Sequence, residues 1–545
     1  MNYQPPRHKR TFRLVAPLTA GLSILLVFSA FGGSSAFGSG TSTKTQQMST
    51  APIVKGSGGT VIVRAQEDID TFNPAIDNGT YLDFSTYAFT YDTLATLSPQ
   101  GNLRPGLATK WTGTPLKVTF WIHKGATCDD GTPVTPAVIA NSMNYYANPK
   151  TGAGIESVIF GLGSAHATAN AAADTVTITV SKPWGYLLDG AATAAYVICP
   201  AGLKNPSLMS EKPVGSGPYE MTSDERGVEY TLQARPKYNW GPGGWSTRDN
   251  GVPQKIIERV IVNPVTAMNE GLTGALQIDG YINGKAVEEM KSRDPSLMYQ
   301  RQADLGAMGM VFNPIEPKSA PVSDPVVREA VDLAINRNDF MLAAAGGQGV
   351  VSKTMLTPGM TCYSPALGKY AAPYDPTKAE QILKADGWKL NSSGKLEKNG
   401  QPLTIRIAES NVWASAGAYV LDALDSIGMS ASVAVLNDTT LLNTLYTTHQ
   451  YDIIPYAYQD FFTTPSVMPS QDIGIGIKDP AYYAAVDAAG ALPVAQSCPA
   501  WNKALRIELN FVDPLGYNDT TWFSAGFKFS VKYGYIDPFT FYKVS

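Results

Sequence analysis

The chain has few of the side chains on which most enzyme active sites depend. Its 545 residues include only four histidines and four cysteines. The sequence contains neither a Gly-x-Ser-x-Gly elbow, a phosphate-binding loop, a His-Glu-x-x-His helix nor a Gly-x-Gly-x-x-Gly turn. These absences argue against an enzyme. They leave open a secreted hydrolase whose active-site residues are dispersed along the chain.

The sequence also lacks an excess of basic residues. It has 42 lysines and arginines against 46 aspartates and glutamates, a formal net charge of −4. Binding to a phosphate backbone requires a basic surface, so we expect no nucleic-acid partner. Hydrophobic residues make up 44% of the chain and charged residues 16%, which predicts a large core and excludes a disordered protein. At ~100 to 200 residues per domain, this length predicts two or more packed units.

The first 36 residues have the pattern of a secretion signal. Basic side chains up to Arg13 precede an apolar run over residues 14–30, and Ser34 and Ala36 are the small residues of a cleavage site. We therefore expect residues 1–36 to be removed and the Ser-, Thr- and Gly-rich residues 37–59 to form a flexible tether. The alternative is an uncleaved membrane anchor, because the apolar run is only slightly shorter than the roughly 18 to 20 residues of a spanning helix.

Cysteine is absent before Cys128, so the signal junction has no acceptor for a lipid anchor. In an exported protein, Cys128, Cys199, Cys362 and Cys498 are candidates for two disulfides. Their wide spacing differs from the short paired spacing of zinc ligands, and we expect neither a metal nor another cofactor.

Hydrophobic periodicity predicts an α/β protein in which short strands and amphipathic helices alternate. Residues 175–180 (TVTITV) alternate as a strand, and residues 136–147 have helical spacing. Asp324 and Asp375 each precede a proline at the start of a helical pattern, a typical N-cap arrangement. Residues 403–436 have the pattern strand, helix, strand. Such units present ligand-binding groups at the carboxyl ends of their strands.

Seven segments occur in the order found in one known family. They are residues 70–74 (DTFNP), 91–94 (YDTL), 101–111 (GNLRPGLATKW), 119–125 (TFWIHKG) with 130–135 (DGTPVT), 214–219 (VGSGPY), 312–313 (FN) with 324–330 (DPVVREA), and 374–379 (YDPTKA) with 387–388 (GW). In these segments the sequence resembles the family 5 extracellular solute-binding proteins of ABC importers, the oligopeptide, dipeptide and nickel class. The resemblance covers nearly the whole chain after the signal.

The resemblance implies a two-lobed α/β fold of the periplasmic-binding-protein type, with ligand in the cleft between the lobes. Two crossover strands would join the lobes, near residues 262–266 and 509–516. The implied boundaries are a first lobe at 60–263 with an inserted subdomain at roughly 95–205, a second lobe at 264–508, and a return segment at 509–545 that completes the first lobe.

These boundaries imply a disulfide pairing. A bridge between lobes would oppose hinge motion, so each disulfide is expected within one lobe. Cys128 and Cys199 both precede the first crossing, whereas Cys362 and Cys498 both lie between the crossings. The expected pairs are therefore Cys128 with Cys199 and Cys362 with Cys498.

The resemblance also indicates where ligand would bind. In peptide-binding members, an acidic residue after a Tyr-Asp strand pairs with the ligand's α-amino group, and the matching stretch here is residues 451–461 (YDIIPYAYQDF). Ungapped, that acidic position falls on Phe461, one residue after Asp460. Trp413 and Tyr458 follow or end strands at one sheet edge, where they would form apolar platforms for ligand. The expected ligand-binding residues are Glu67, Asp70, Asn411, Trp413, Tyr456, Tyr458, Gln459 and Asp460.

The sequence thus predicts an exported, extracytoplasmic and monomeric receptor that passes a small solute to an ABC permease in the membrane, without catalysis. A peptide or peptide-like ligand is the first expectation. An oligosaccharide is the second, because the chain has 9 tryptophans and 27 tyrosines. A sensor or adhesion module on the same fold is a further alternative.

Overall fold

The computed structural model describes residues 51–76, 81–98, 102–153, 155–161, 163–282, 284–313, 320–345, 349–358, 362–410, 415–458, 477 and, apart from residue 533, 479–545. The expected signal at 1–36 and most of the expected tether lie outside these residues. Residues 51–59 of the expected tether instead pair with the folded body, since Ile53 forms a β-bridge with Val544 and the N–H of Gly58 donates to the carbonyl oxygen of Val252 at 2.8 Å.

The described chain alternates strands and helices, as its periodicity predicts. The strands are β1 (Thr60–Ala65), β2 (Ala95–Leu97), β3 (Leu103–Pro105), β4 (Ala108–Thr114), β5 (Lys117–Ile122), β6 (Ala165–Asn170), β7 (Thr175–Val180), β8 (Tyr219–Glu225), β9 (Glu229–Ala234), β10 (Lys255–Val260), β11 (Ile278–Ile282), β12 (Met298–Phe312), β13 (Val350–Val351), β14 (Lys389–Leu390), β15 (Leu396–Lys398), β16 (Gln401–Pro402), β17 (Thr404–Ser410), β18 (Ser430–Leu436), β19 (Ile453–Tyr458), β20 (Val512–Ser524), β21 (Phe527–Lys528), β22 (Val531–Lys532), β23 (Tyr535–Ile536) and β24 (Tyr542–Lys543).

The α-helices are α1 (Tyr81–Thr90), α2 (Pro136–Tyr146), α3 (Glu156–Phe160), α4 (Leu187–Thr193), α5 (Pro200–Lys204), α6 (Pro264–Thr273), α7 (Gly284–Arg293), α8 (Pro325–Ala334), α9 (Arg337–Ala345), α10 (Pro376–Ala385), α11 (Ala416–Ser426), α12 (Asp438–Asn443), α13 (Pro480–Gly490) and α14 (Val494–Glu508). Within the described ranges, none of these helices has both the length and the apolar character needed to cross a bilayer.

Four of the helices begin at one local signal, an Asn or Asp directly before a proline. Asn263, Asp324, Asp375 and Asp479 are the N-caps of α6, α8, α10 and α13, and each side chain accepts a hydrogen bond from a first-turn N–H group. Proline fits the first helical position because its missing N–H would have no partner there. The starts predicted at Asp324 and Asp375 are confirmed.

One large sheet joins the two halves of the molecule. Its strand order is β18-β17-β19-β12-β20-β11-β1-β10-β9-β8, with β13 paired to β20. At one end β17 is parallel to β18 and β19, and at the other β1 is parallel to β10 and β11. Between them the two long strands, β12 and β20, pair antiparallel. The strand, helix, strand unit predicted for residues 403–436 is β17-α11-β18, in parallel register.

A second sheet, of order β4-β5-β7-β6, lies inside the expected insertion at roughly 95–205. Its apolar face includes Val118, Phe120 and Ile178, which are completely buried. This face packs against α2, which contacts β6 and β7. Alternating apolar and polar residues in these strands explain why one face is buried and the other is open to solvent.

The first crossing strand lies later in the chain than expected. Residues 262–266 contain the Asn263 N-cap and the first turn of α6 instead of a crossing. The elements α6, β11 and α7 stay with the first half of the sheet, because β11 pairs with β1 and Phe523 of β20 packs in their common core. The first strand of the chain that pairs with both β19 and β20 is β12. The second crossing, expected near residues 509–516, overlaps the start of β20.

The helical pair α13 and α14 packs on the insertion. The backbone N–H of Gly185 donates to the carbonyl oxygen of Gly490 at 2.7 Å, and the rings of Tyr186 and Trp501 lie 6.5 Å apart. A Cβ at Gly185 would lie 1.8 Å from the carbonyl oxygen of Leu492, so only glycine fits this contact. A strand-rich insertion and a helical pair distant in sequence thereby share one core.

Two disulfides are present, Cys128–Cys199 and Cys362–Cys498, and the pairing is the one expected from the sequence. The first lies within the insertion, where it ties the loop after β5 to the start of α5. The second ties the loop before α10 to α14. Their sequence separations are 71 and 136 residues, so each closes a long loop of the chain.

Replacing both cysteines of the 71-residue loop, Cys128 and Cys199, with serine should destabilise the insertion. The chain-entropy model gives a loss of up to about 4 kcal/mol, because the unfolded chain regains the freedom that the bridge removes. Urea unfolding followed by intrinsic fluorescence measures the loss, with the Cys362→Ser, Cys498→Ser variant as the matched comparison. An unchanged unfolding midpoint for both variants would contradict a stabilising role for the bridges.

Candidate functional site

The strand register brings the carboxyl ends of both halves of the large sheet to one place. On one side, Ile282 at the end of β11 pairs with Thr521 of β20. On the other side, Tyr458 at the end of β19 pairs with Ala307 of β12. Since Thr521 is itself opposite Arg301 of β12, both ends meet along the short stretch between residues 301 and 307. Ligands of open α/β sheets bind beyond the carboxyl ends of strands, so this convergence marks the candidate site.

The pairing of the two long strands is irregular at the same place. The register of β12 against β20 shifts between Ala303, opposite Asp519, and Ala307, opposite Tyr517. Such irregularities bend a strand pair and increase its twist. The floor of the candidate site is therefore the least regular part of the strand pair that joins the two halves.

Glu67 lies on the first-half wall of this site, two residues after β1 ends. It is half-buried, whereas Asp70 is exposed and its backbone N–H donates to Asp83 at the start of α1. Burial raises the pKa of Tyr281, and the nearby carboxylate of Glu67 raises it further. Glu67, and not Asp70, is thus the expected acidic residue that lies beside Tyr281, another half-buried polar side chain at the strand ends.

An ion pair under this wall fixes its geometry. Arg64 donates from Nη1 to Asp279 at 3.0 Å and from Nε to the carbonyl oxygen of Ile261 at 2.8 Å, and the two charged side chains are buried. The guanidinium carbon of Arg64 also lies 5.8 Å from the ring centroid of Tyr281. These partners fix the orientation of the arginine beneath the wall.

Glu258 on β10 is a buried carboxyl group that has hydroxyl partners. Its two oxygens accept hydrogen bonds from Ser85 at 2.8 Å and from Thr86 at 2.7 Å, both on α1. Its exposed fraction is 1%. Burial raises the pKa of Glu258 from 4.5 to about 7, although the two hydroxyl donors oppose that shift. The side chain fastens α1 to the sheet at the wall of the site.

Glu409 has the corresponding position in the second half, at the end of β17. Its carboxylate is buried and accepts a hydrogen bond from the N–H of Gly417 at 2.6 Å, at the start of α11. A Cβ at Gly417 would lie 2.6 Å from the carboxyl carbon of Glu409, so a larger residue there would displace the carboxylate from this contact. The contact ties together the two ends of the loop between β17 and α11. Burial raises the pKa of this carboxyl group.

Only two of the remaining expected ligand contacts lie among the described residues. Tyr456 and Tyr458 are on β19, opposite Gly309 and Ala307 of β12. The others, Asn411, Trp413, Gln459 and Asp460, fall outside the described residues. The structure therefore brings the strand ends that carry these residues together with Glu67, while Asp70 lies on the exposed outer side.

Sequence reasoning missed the buried charges that shape the site. Arg64, Glu258, Asp279 and Glu409 are buried ionisable residues in strands that also contain several apolar residues, in the segments VIVRA, KIIERV, IDGYI and TIRIAES. A charge inside such a segment is a usable signal, because a buried charge requires a partner. The partners are far away in sequence, so the signal could have marked these residues without identifying what they bind.

Among the described residues, no group of three or more His, Cys, Asp and Glu side chains is arranged to hold a metal ion. The described side chains at these strand ends include the half-buried Glu67 and Tyr281. Such groups bind a ligand by hydrogen bonds, charge and ring contact.

Comparison with known proteins agrees with this geometry. The family model described as "Bacterial extracellular solute-binding proteins, family 5 Middle" matches residues 102–472. The nickel-binding periplasmic protein of Escherichia coli (strain K12) is 27% identical over 218 residues, 39% of this chain and 39% of the relative. The dipeptide-binding protein of the same strain is 24% identical over 355 residues, 60% of this chain and 63% of the relative. The sequence matches thus span about two fifths to three fifths of these curated relatives.

A solved structure extends the likeness over the whole fold. The substrate binding protein from Microbacterium hydrocarbonoxydans, complexed with 4-hydroxybenzoate hydrazide, has 26% sequence identity and a TM-score of 0.73. The match covers 89% of this chain and 100% of that chain. The two-lobed α/β architecture expected from the sequence is therefore confirmed.

Glu258→Gln should change how stability depends on pH. The folded protein binds the Glu258 proton more tightly than the unfolded chain does, because the folded pKa is about 7 against 4.5. The contribution of Glu258 to the free energy of unfolding therefore falls as the pH rises from about 4.5 to about 7, by about 3 kcal/mol at most. Glutamine does not titrate, so the variant lacks this fall. Thermal unfolding at pH 5 and pH 7.5 measures it.

The control for this prediction is Glu380→Gln on α10, where the glutamate is exposed. The stability of the Glu258 variant relative to wild type should be greater at pH 7.5 than at pH 5. The stability of the Glu380 variant relative to wild type should be the same at both pH values. A Glu258 variant whose pH dependence parallels that of wild type would contradict the inferred protonation.

Proposed function

Because the chain belongs to the bacterial extracellular solute-binding proteins of family 5, we propose that it binds a small solute between its lobes and delivers it to an ABC importer. The observation that carries this proposal is the convergence of the strand ends from both halves on one stretch of the two long strands. Capture and release of a solute need no covalent step, so the function requires no catalytic residue. Turnover of peptides or glycosides that is abolished by changing one acidic residue would favour the hydrolase alternative.

The lobe boundaries proposed from the structure differ from those expected from the sequence. The first lobe comprises the chain up to the middle of β12 and the chain from the middle of β20 onward, including α6, β11 and α7. The second lobe comprises the chain between these points, except that its α13 and α14 share a core with the insertion of the first lobe. The pairing of β11 with β1 and the common core of α6, α7 and Phe523 support this division. The insertion, with its own sheet, belongs to the first lobe.

We propose a peptide or peptide-like ligand that bears an amino group. Glu67 on the first-lobe wall and Asp460 on the second-lobe edge would provide negative charge, and Trp413 and Tyr458 would provide apolar platforms. The dipeptide-binding relative supports this class. We also propose that Asn411, Tyr456 and Gln459 contribute polar contacts at the same edge, with Asp70 at its outer margin. An oligosaccharide is the alternative ligand, and the same variants distinguish the two classes.

Asp460→Asn should weaken binding of trialanine, whose amino group is free, by ~2 to 5 kcal/mol, because the buried ammonium group would lose its counter-charge. N-acetylated trialanine should bind weakly to both wild type and variant. Isothermal titration calorimetry measures these affinities. The matched control is Asp422→Asn, an exposed aspartate on α11 that should leave both affinities unchanged.

An oligosaccharide ligand would give the opposite order of effects. Trp413→Ala would then dominate the loss of affinity for a maltooligosaccharide probe. Asp460→Asn would cost only ~0.5 to 1.5 kcal/mol there, the contribution of one neutral hydrogen bond. Wild-type affinity for every bound probe in both variants would contradict this placement of the site.

We further propose that the protein is exported, loses residues 1–36 and carries no lipid. Its membership of an extracellular family and its two disulfides support an extracytoplasmic location. Intact-mass analysis of exported protein should give the mass of a chain that begins at Phe37 without an acyl group. A mass corresponding to all 545 residues would show that the apolar segment is kept as an anchor.

A further inference from the structure

Val262, two residues after β10 ends, is the most exposed large apolar side chain in the described part of the molecule, at 72%. A second exposed valine, Val228, lies close to it, with an exposed fraction of 54%. The N–H of Val260 donates to the carbonyl oxygen of Val228, so these residues continue the antiparallel pairing of β9 with β10. Val228, Val260 and Val262 therefore share one face of the sheet, since side chains alternate along a strand.

This valine face is the outer end of a small apolar core. Ile69, Phe72 and Tyr230 are buried beneath it, and Val260 packs against them while remaining partly open. Burying the outer valines as well would extend the same core, yet nothing in the described chain covers them. A partner that contacts this face could bury the outer valines against the same core.

Carboxylates surround the valine face. Asp68 is exposed and accepts a hydrogen bond from Gly227, and Glu225 is exposed at the tip of the same hairpin. Arg226, between these residues, is already engaged. It pairs with Asp224 at 3.4 Å and donates to the carbonyl oxygen of Ile69 at 2.7 Å. The margin of the valine face therefore has an unneutralised negative charge, which favours a partner with basic groups around an apolar side chain.

The valine face lies at the same carboxyl edge of the large sheet as the candidate site. It is at the end of β10, the third strand outward from β20. At about 4.8 Å per strand this is about 14 Å from the cleft floor. The second lobe has a counterpart, since Val435 near the end of β18 is 53% exposed and β18 is the third strand outward from β12. Each lobe thus presents an exposed valine on the rim of the cleft.

We propose that Val262 and Val228, with the acidic margin of Asp68 and Glu225, form the first-lobe docking surface for an extracytoplasmic permease loop that carries basic residues around an apolar side chain. The inference rests on the proposed function, because a permease that receives the solute must sit over the mouth of the cleft. Val435 is the corresponding contact on the second lobe. A partner that touches both rims senses the distance between the lobes and so distinguishes a closed receptor from an open one.

Site-specific photo-crosslinking in the producing bacterium tests this surface without knowledge of the solute. The photoreactive residue p-benzoylphenylalanine replaces Val262, Val435 or, as control, Leu390 in the full exported chain. Leu390 is 64% exposed but lies beside Gly428, at the opposite, amino-terminal end of β18. Crosslinked partners are identified by mass spectrometry, and circular dichroism of each purified variant verifies its fold.

Positions 262 and 435 should each crosslink to a subunit of the membrane permease, whereas position 390 should not. Adding Glu225→Lys to the position 262 variant should lower the crosslinking yield about fivefold, and Glu225→Gln should lower it less, as expected for a charge at the margin of an interface. Each purified charge variant should bind solute as wild type does, since Glu225 lies outside the cleft.

The outcomes that would contradict the docking surface differ from those that would contradict the proposed function. Permease crosslinks at position 390 but not at position 262 would overturn this surface and leave the proposed function standing. Equal yields at all three positions, or an effect of Glu225→Lys equal to that of Glu225→Gln, would also overturn it. The absence of any permease crosslink from all three positions would contradict the proposed function together with this inference.

Discussion

The antiparallel pairing of β12 with β20 is the constraint on which the rest of the structure depends. These two strands are the only described elements that belong to both halves of the large sheet, and every other strand of that sheet is placed outward from them. The parallel strands on either side of this pair run toward the middle of β12 and β20, so the carboxyl ends of both halves converge there. The irregular register between Ala303 and Ala307 then puts the adaptable part of the pair under the site.

Several buried ionisable groups lie near these strand ends and hold the walls of the site in place. Arg64 with Asp279 fixes the first lobe's wall, and Glu258 fastens α1 to it through two hydroxyl groups. Glu409 performs a similar task in the second lobe by holding the start of α11. Desolvation makes each of these groups costly unless it is hydrogen-bonded, so they specify geometry more than they add stability.

The sequence predicted the features that depend on neighbouring residues. The starts of α8 and α10 at Asp324 and Asp375 follow from capping chemistry within one turn, and the β17-α11-β18 unit follows from its periodicity. The first crossing could not be located in this way, since residues 262–266 contain the same Asn-Pro signal as other helix starts and begin α6. The long strand β12 has no comparable local signal, because its pairing with β20 spans about 200 residues of chain.

Amide hydrogen exchange of the full chain, with and without a bound tripeptide such as trialanine, tests the central claim that both lobes contribute strand ends to one site. The account predicts slower exchange on binding at the end of β1 and at the ends of β17 and β19 together, with the insertion sheet β4-β5-β7-β6 unchanged. Protection confined to one lobe, or located in the insertion sheet, would contradict it.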